Sequence, residues 1–186
     1  MGPSYYLVTL NPVSREELRA FILDQGGEID VDPYCDGDFF ARHGRLSVKW
    51  ATNEKVDSIL AADNFVETKR GIRDRHREYE TLARIADALG GPPHDFVLLS
   101  LLSRAASQHL AVRFAEAFVR RWTPCVLETD LTLDLAEEGK NVWTMDDAFR
   151  IASKQRRLPT GRHDIADWSE YFRQMHRAEE AEGLDE

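Results

Sequence analysis

Six acidic residues occupy the stretch from Asp24 to Asp38, and no lysine or arginine interrupts them. Tyr34 and Phe39 stand among these acids, so the stretch combines negative charge with aromatic side chains. Aromatic anchors ringed by charge are typical of interfaces that associate quickly with an oppositely charged partner. We therefore expect a docking face for a basic protein in this stretch. The candidate partner-binding residues are Asp30, Asp32, Tyr34, Asp36 and Asp38.

The same carboxylates suggest a second chemistry, because calcium prefers oxygen ligands. Asp30, Asp32 and Asp36 partly follow the order of acids in a calcium-binding loop. That loop, however, places its first three oxygen ligands at alternate positions, and the run from Pro33 to Cys35 breaks this register. We expect no metal and no cofactor.

A basic stretch from Lys69 to Arg77 opens a predicted helix. Positive side chains in a first turn oppose the helix dipole unless an anion or an acidic side chain compensates them. An ion-paired helix face would explain this stretch without a ligand. The alternative to the docking face is an enzyme or binding domain for an anionic small molecule. Its candidate anion-binding residues are Arg70, Arg73, Arg75, His76 and Arg77.

Catalytic signatures are missing from the sequence. It has no Gly-x-Ser-x-Gly elbow, no phosphate-binding glycine loop, no Cys-x-x-Cys and no His-Glu-x-x-His. His94-Asp95 and His163-Asp164 are pairs that bind metal in some helical hydrolases, but the predicted strands argue against such a bundle. Cys35 and Cys125 have no plausible base nearby in sequence. We expect a non-catalytic protein, although an active site assembled from distant residues leaves no local motif.

Length and composition limit the class of protein to which these residues belong. The chain has 186 residues, of which 42% are hydrophobic, and this suits one domain with a substantial core. Its net charge of −9 disfavours nucleic acid and anionic lipid as partners. No apolar run is long enough to span a membrane, and no secretory signal is visible. With only two cysteines, the sequence predicts a reduced, cytoplasmic protein.

The acidic stretch is flanked by well-marked elements. Residues Tyr5 to Leu10 are short and rich in β-formers, which predicts a buried strand. Ser14 and Glu17 form a capping-box pattern that opens a helix, and Gly26-Gly27 ends it. On the other side, runs of alternating residues flank His43-Gly44, which predicts a β-hairpin.

Further elements follow along the chain, and one of them fits two types. Phe96 to Leu99 suits a strand or the start of a buried helix. The other predicted elements are a helix from Ile72 to Leu89, a helix from about Ser107 to Trp122, a strand from Cys125 to Leu127, an edge strand around residues 131–135 and a helix from Thr144 to about Arg156.

A last helix is predicted from Ile165 to Arg177, and its apolar residues share one face. These residues either pack on their own domain or form a homodimer contact. They are Trp168, Tyr171, Phe172 and Met175.

Together these elements predict an α+β fold: a mostly antiparallel sheet packed by helices, with a helical C-terminal extension. We divide the chain into a core domain over residues 1–140, a helical extension over 141–177 that packs on the core, and an acidic tail over 178–186. No residue pattern matches a family that we can name. The general character, acidic and without catalytic motifs, suits an interaction protein such as a bacterial toxin-neutralising (immunity) protein.

Overall fold

The computed structural model describes residues 4–31, 35–51, 80–102, 105–129 and 140–159. In these ranges six antiparallel strands form one sheet packed by four helices, which confirms the predicted α+β class. The strands are β1 (Ser4–Thr9), β2 (Gly37–Ala41), β3 (Gly44–Trp50), β4 (Asp95–Leu101), β5 (Cys125–Glu128) and β6 (Val142–Thr144). The helices are α1 (Arg15–Asp24), α2 (described over residues 80–89), α3 (Ala105–Arg121) and α4 (Met145–Gln155).

The strand order is β2-β3-β4-β1-β5-β6, and every neighbouring pair is antiparallel. The first strand of the chain therefore lies inside the sheet. Leu7 of β1 stands opposite Val97 of β4 on one side and Leu127 of β5 on the other. Among the described helices, none combines the length and the apolar character that crossing a bilayer demands.

Three helices cover one side of the sheet, which we call the first face. Alternate strand residues such as Tyr5, Leu7 and Val48 point toward α1, α3 and α4 and form the larger apolar core. Phe21 of α1 meets three rings of the α3 side: Phe114 at 5.5 Å, Phe118 at 6.1 Å and Trp122 at 5.1 Å between centroids. Edge-to-face aromatic contacts of this kind hold α1 against α3.

The opposite side of the sheet, the second face, is packed by α2. Ile85 and Leu89 contact the strand residues Val8, Phe96 and Val126 in a smaller apolar cluster. These strand residues alternate with those of the first face, as the two-residue period of a strand requires. The sheet is thus buried on both sides where α2 lies.

The predicted capping box opens α1. The Ser14 hydroxyl oxygen accepts the Glu17 backbone N–H at 3.2 Å, and the Glu17 carboxylate accepts the Ser14 backbone N–H at 3.0 Å. Hydrogen bonds from the Ser14 backbone and side chain lower the pKa of Glu17. The helix ends before Gly26, whose φ of +82° is the left-handed conformation that glycine tolerates.

The predicted hairpin joins β2 to β3, and its turn lies against α3. His43 adopts a φ of +63° in the turn. A Cβ atom on Gly44 would stand 2.7 Å from the Ala106 Cβ and 2.7 Å from the Ser107 backbone nitrogen, so only glycine fits there. The Ser107 hydroxyl oxygen accepts the Arg45 backbone N–H at 2.9 Å, which connects the hairpin to the first turn of α3.

Two local differences from the predictions concern short elements. Ile29 and Val31 alternate with Asp30 and Asp32, a pattern that predicts a short strand. In its place the chain forms an isolated antiparallel bridge between Glu28 and Asp38. β6 is a three-residue strand that the sequence pattern did not predict. Phe96 to Leu99 forms part of strand β4. The domain division at residue 140 stays a prediction, and the predicted elements at 131–135 and 165–177 lie outside the described residues.

We expect Gly44→Ala to lower the free energy of unfolding by about 2 kcal/mol or more, because the new methyl group overlaps the α3 backbone. The matched control is Gly26→Ala, which enters open space and bears only the cost of its left-handed φ, about 1 kcal/mol. Urea unfolding of both variants measures the difference. An equal or smaller loss for Gly44→Ala would contradict the close approach of hairpin and helix.

Candidate functional site

Asp36, immediately before β2, directs a buried carboxylate into the fold. One carboxylate oxygen accepts the Arg15 Nε–H at 2.5 Å, and the other accepts the Trp50 backbone N–H at 2.8 Å. The Asp36 backbone donates to the Val48 carbonyl at 2.8 Å. The hydrogen bond and charge of Asp36 also raise the pKa of Arg15. Asp36 therefore joins the first turn of α1 to β3.

Asp38 of β2 is also buried, on the second face. Its carboxylate accepts two hydrogen bonds from the Arg45 guanidinium, at 2.8 and 2.6 Å, and one from the Ser47 hydroxyl at 2.6 Å. Burial opposes the charged form of Asp38, but these hydrogen bonds outweigh it and hold its pKa below the usual range. Arg45 stands opposite Phe40 on the neighbouring strand and lies over its ring, 5.8 Å from the centroid.

A group of three possible metal ligands lies beside this ion pair. Oxygens of Asp30 and Asp38 and the sulfur of Cys35 all fall within 4.8 Å of one another. The Arg45 guanidinium already lies 2.6 Å from the Asp38 carboxylate and 3.6 Å from that of Asp30. A metal ion would have to displace this cation, so the arrangement favours an ion-pair network.

Both thiols are buried and held in the protonated form. Burial, followed by the negative charge of Asp38, raises the pKa of Cys35. Burial raises the pKa of Cys125 still more strongly. Because the thiolate is the nucleophilic form, neither sulfur is activated for covalent catalysis.

The predicted docking residues thus divide into distinct groups. Asp36 and Asp38 are buried and paired with arginines of the same chain, and Asp30 is half-buried beside Arg45. Asp32 and Tyr34 lie outside the described residues. The same is true of the whole alternative anion-binding set, Arg70, Arg73, Arg75, His76 and Arg77, and of the predicted dimer residues, Trp168, Tyr171, Phe172 and Met175.

Other residues within and beside the acidic stretch face solvent. Asp24 and Glu28 are exposed. Four large apolar side chains are exposed in the described ranges, and three belong here: Leu23 at 56%, Val31 at 98% and Phe40 at 60%. We call this surface the acidic margin; its residues are Leu23, Asp24, Glu28, Asp30, Val31 and Phe40. The sequence does not identify its apolar members, because whether a single apolar residue is exposed depends on the fold around it.

A histidine–aspartate pair lies at the start of β4. The ring Nδ1 of His94 is 2.8 Å from a carboxylate oxygen of Asp95, and the same oxygen accepts the Val13 backbone N–H at 2.8 Å. Asp95 is buried, whereas His94 is half exposed. Within the described ranges, no hydrogen bond links the imidazole to a hydroxyl or thiol nucleophile. Through its contact with Val13, Asp95 links the β1–α1 connection to β4.

Glu128, at the end of β5, is fully buried on the second face, and the sequence analysis did not single it out. The sequence does contain a signal for this burial. Glu128 is a charged residue that directly follows the apolar residues of the predicted strand and continues that strand. Nearby, the Asn141 side-chain amide donates to the Thr81 hydroxyl at 3.0 Å, and the Thr129 backbone N–H donates to the Asn141 carbonyl at 2.9 Å. These polar contacts connect β5, the chain before β6 and α2.

Comparison with protein-family models, with curated proteins and with solved structures finds no match.

We expect Asp36→Ala to lower the free energy of unfolding by about 2 to 4 kcal/mol, because it leaves the Trp50 N–H without its acceptor and Arg15 without its partner. Asp24→Ala removes the same charge from an exposed position and should change stability by less than about 0.5 kcal/mol. Urea unfolding of both variants gives the comparison. Similar losses would mean that general charge, rather than the buried contacts, accounts for the effect.

The Asp38 ion pair predicts acid sensitivity. Because the folded-state pKa of Asp38 lies below its unfolded value of about 4, its charge stabilises the fold above that pH. The contribution is lost as pH falls through the folded-state pKa. Asp38→Asn should therefore cost on the order of 1 kcal/mol near neutral pH, and the gap from the native protein should shrink below pH about 4. Unfolding measured across this range tests it; a gap independent of pH would refute it.

Proposed function

We propose that this protein is a non-catalytic interaction protein whose acidic margin binds a basic protein. The observation that carries the proposal is the composition of that margin. Leu23, Val31 and Phe40 are three of the four large apolar side chains exposed in the described ranges, and the acids Asp24, Glu28 and Asp30 lie between Leu23 and Val31 in the sequence. Apolar anchors within a charged rim suit a protein interface better than a small-molecule site.

The internal ion pairs support two different roles for the acids of this stretch, one inside the fold and one at the surface. Asp36 and Asp38 are neutralised by Arg15 and Arg45, so they hold the margin in place from inside. Asp24 and Glu28 keep their charge at the surface, where it attracts a positively charged partner over several ångströms. The net charge of −9 acts in the same direction and disfavours nucleic acid as the partner.

Two further features support a binding role rather than catalysis. Burial keeps the thiols of Cys35 and Cys125 protonated. The His94 ring contacts the Asp95 carboxylate, and in the described ranges it has no hydrogen bond to a hydroxyl or thiol group. Both cysteines are free thiols, which agrees with the cytoplasmic location that we include in the proposal. In its specific form the proposal is a bacterial toxin-neutralising (immunity) protein, in which the margin covers a basic toxin.

The test is affinity capture from the host, followed by calorimetry with the purified captured protein. A basic partner should bind more weakly as salt rises. Phe40→Ser should weaken binding about tenfold or more, and Glu28→Gln about threefold at low salt. The matched control is Asp146→Asn, which removes an exposed acid from α4 near the opposite edge of the sheet. Equal affinities for all four proteins would overturn the proposal.

A further inference from the structure

β2 forms one edge of the sheet in the described part of the chain. That edge is already engaged at one residue. The Glu28 backbone N–H donates to the Asp38 carbonyl at 2.9 Å, and the Asp38 N–H donates to the Glu28 carbonyl at 2.8 Å. The bridge is antiparallel, like every strand pair of the sheet. The outer side of β2 therefore has the geometry that accepts another antiparallel backbone.

The next outward position along β2 is Phe40. Both backbone groups of a strand residue point to the same side, and the side alternates from one residue to the next. Since Asp38 points outward to Glu28, Phe40 points outward as well, whereas Phe39 points inward to Leu46 of β3. Among the described residues, none forms a bridge to Phe40 on its outer side.

The side chains around this position are suited to a strand contact. The Phe40 ring is 60% exposed, and Arg45 covers part of it on the second face. The neighbouring Ala41 is exposed and small, so it leaves room for an incoming chain. Natural edges are usually blunted by charge, proline or a covering segment. Here the described covering segment bonds at Asp38 and, just before β2, at the Asp36 carbonyl, but not at Phe40.

We propose that an extended segment of the basic partner adds to β2 as an additional antiparallel strand, paired at Phe40. This inference rests on the proposed function and names its binding mode. An antiparallel strand would run from the hairpin turn toward Glu28, so its C-terminal end would meet the exposed acid Glu28, whereas its start would meet Arg42. The segment therefore carries apolar residues in its middle and lysine or arginine at its C-terminal end.

The direct test uses the native protein labelled with nitrogen-15 at phenylalanine and a synthetic hexapeptide, acetyl-Thr-Val-Phe-Val-Lys-Lys-amide. At four-fifths saturation, exchange of the Phe40 amide with solvent should slow about fivefold, because only the free fraction exchanges. The Phe39 amide, already directed at β3, is the control in the same sample and should not change. Saturation with an unchanged Phe40 rate would overturn the proposal.

Two variants separate the backbone contact from the side-chain contact. Phe40→Ala removes the ring and keeps the outward N–H, whereas Phe40→Pro removes both, and neither change touches an inward ladder bond. Peptide binding should be at least about fivefold weaker for Phe40→Pro than for Phe40→Ala. Equal affinities would overturn strand addition. A peptide with glutamate in place of both lysines should bind at least about tenfold more weakly, and equal binding would refute the assigned charge pattern.

The outcomes distinguish this inference from the proposed function. In one outcome, Phe40→Ser and Glu28→Gln weaken binding of the captured partner, but Phe40→Pro and Phe40→Ala bind the peptide equally and the exchange of the Phe40 amide does not slow. The margin then binds its partner without strand addition. If none of these variants affects the partner, the proposed function itself fails. Protection of the Phe40 amide that depends on protein concentration alone, together with a dimer mass by light scattering, would assign the edge to a second copy and overturn the proposal.

Discussion

The buried carboxylate of Asp36 is the contact on which the β2 side of the molecule depends. It accepts one hydrogen bond from α1 and one from β3, and its backbone adds a third connection to Val48. These contacts add to the backbone bridge between Glu28 and Asp38, which also holds the chain between α1 and β2. Placing a charge inside the fold is costly, but Arg15 and the Trp50 N–H compensate both carboxylate oxygens.

The burial of Asp36 and Asp38 determines which residues of the acidic stretch remain on the surface. An acidic stretch in which every carboxylate faced water would be a diffuse negative patch with strong self-repulsion. Here two acids are directed inward to arginines, and the residues left outside are a mixture of acids and apolar side chains. The buried part of the stretch and its exposed part thus belong to the same short sequence.

The sequence predicts the local elements well where a few adjacent residues decide the outcome. The Ser14–Glu17 capping box and the hairpin around His43-Gly44 are such cases, since their contacts lie within a few residues of each other. The inward direction of Asp36 was not predictable, because its partner Arg15 lies 21 residues away in the chain. β6 was missed for another reason: three residues are too few for an alternation pattern to be distinguished from chance.

The single bridge between Glu28 and Asp38 also bears on aggregation. An open edge strand can template indefinite growth when its whole length is free, because each added chain offers a new edge of the same kind. In this protein Glu28 occupies one end of β2 and the turn at His43 closes the other, so only a very short stretch of backbone is left between them. A stretch this short offers few backbone groups to a second copy of the chain, which disfavours growth by repeated edge pairing.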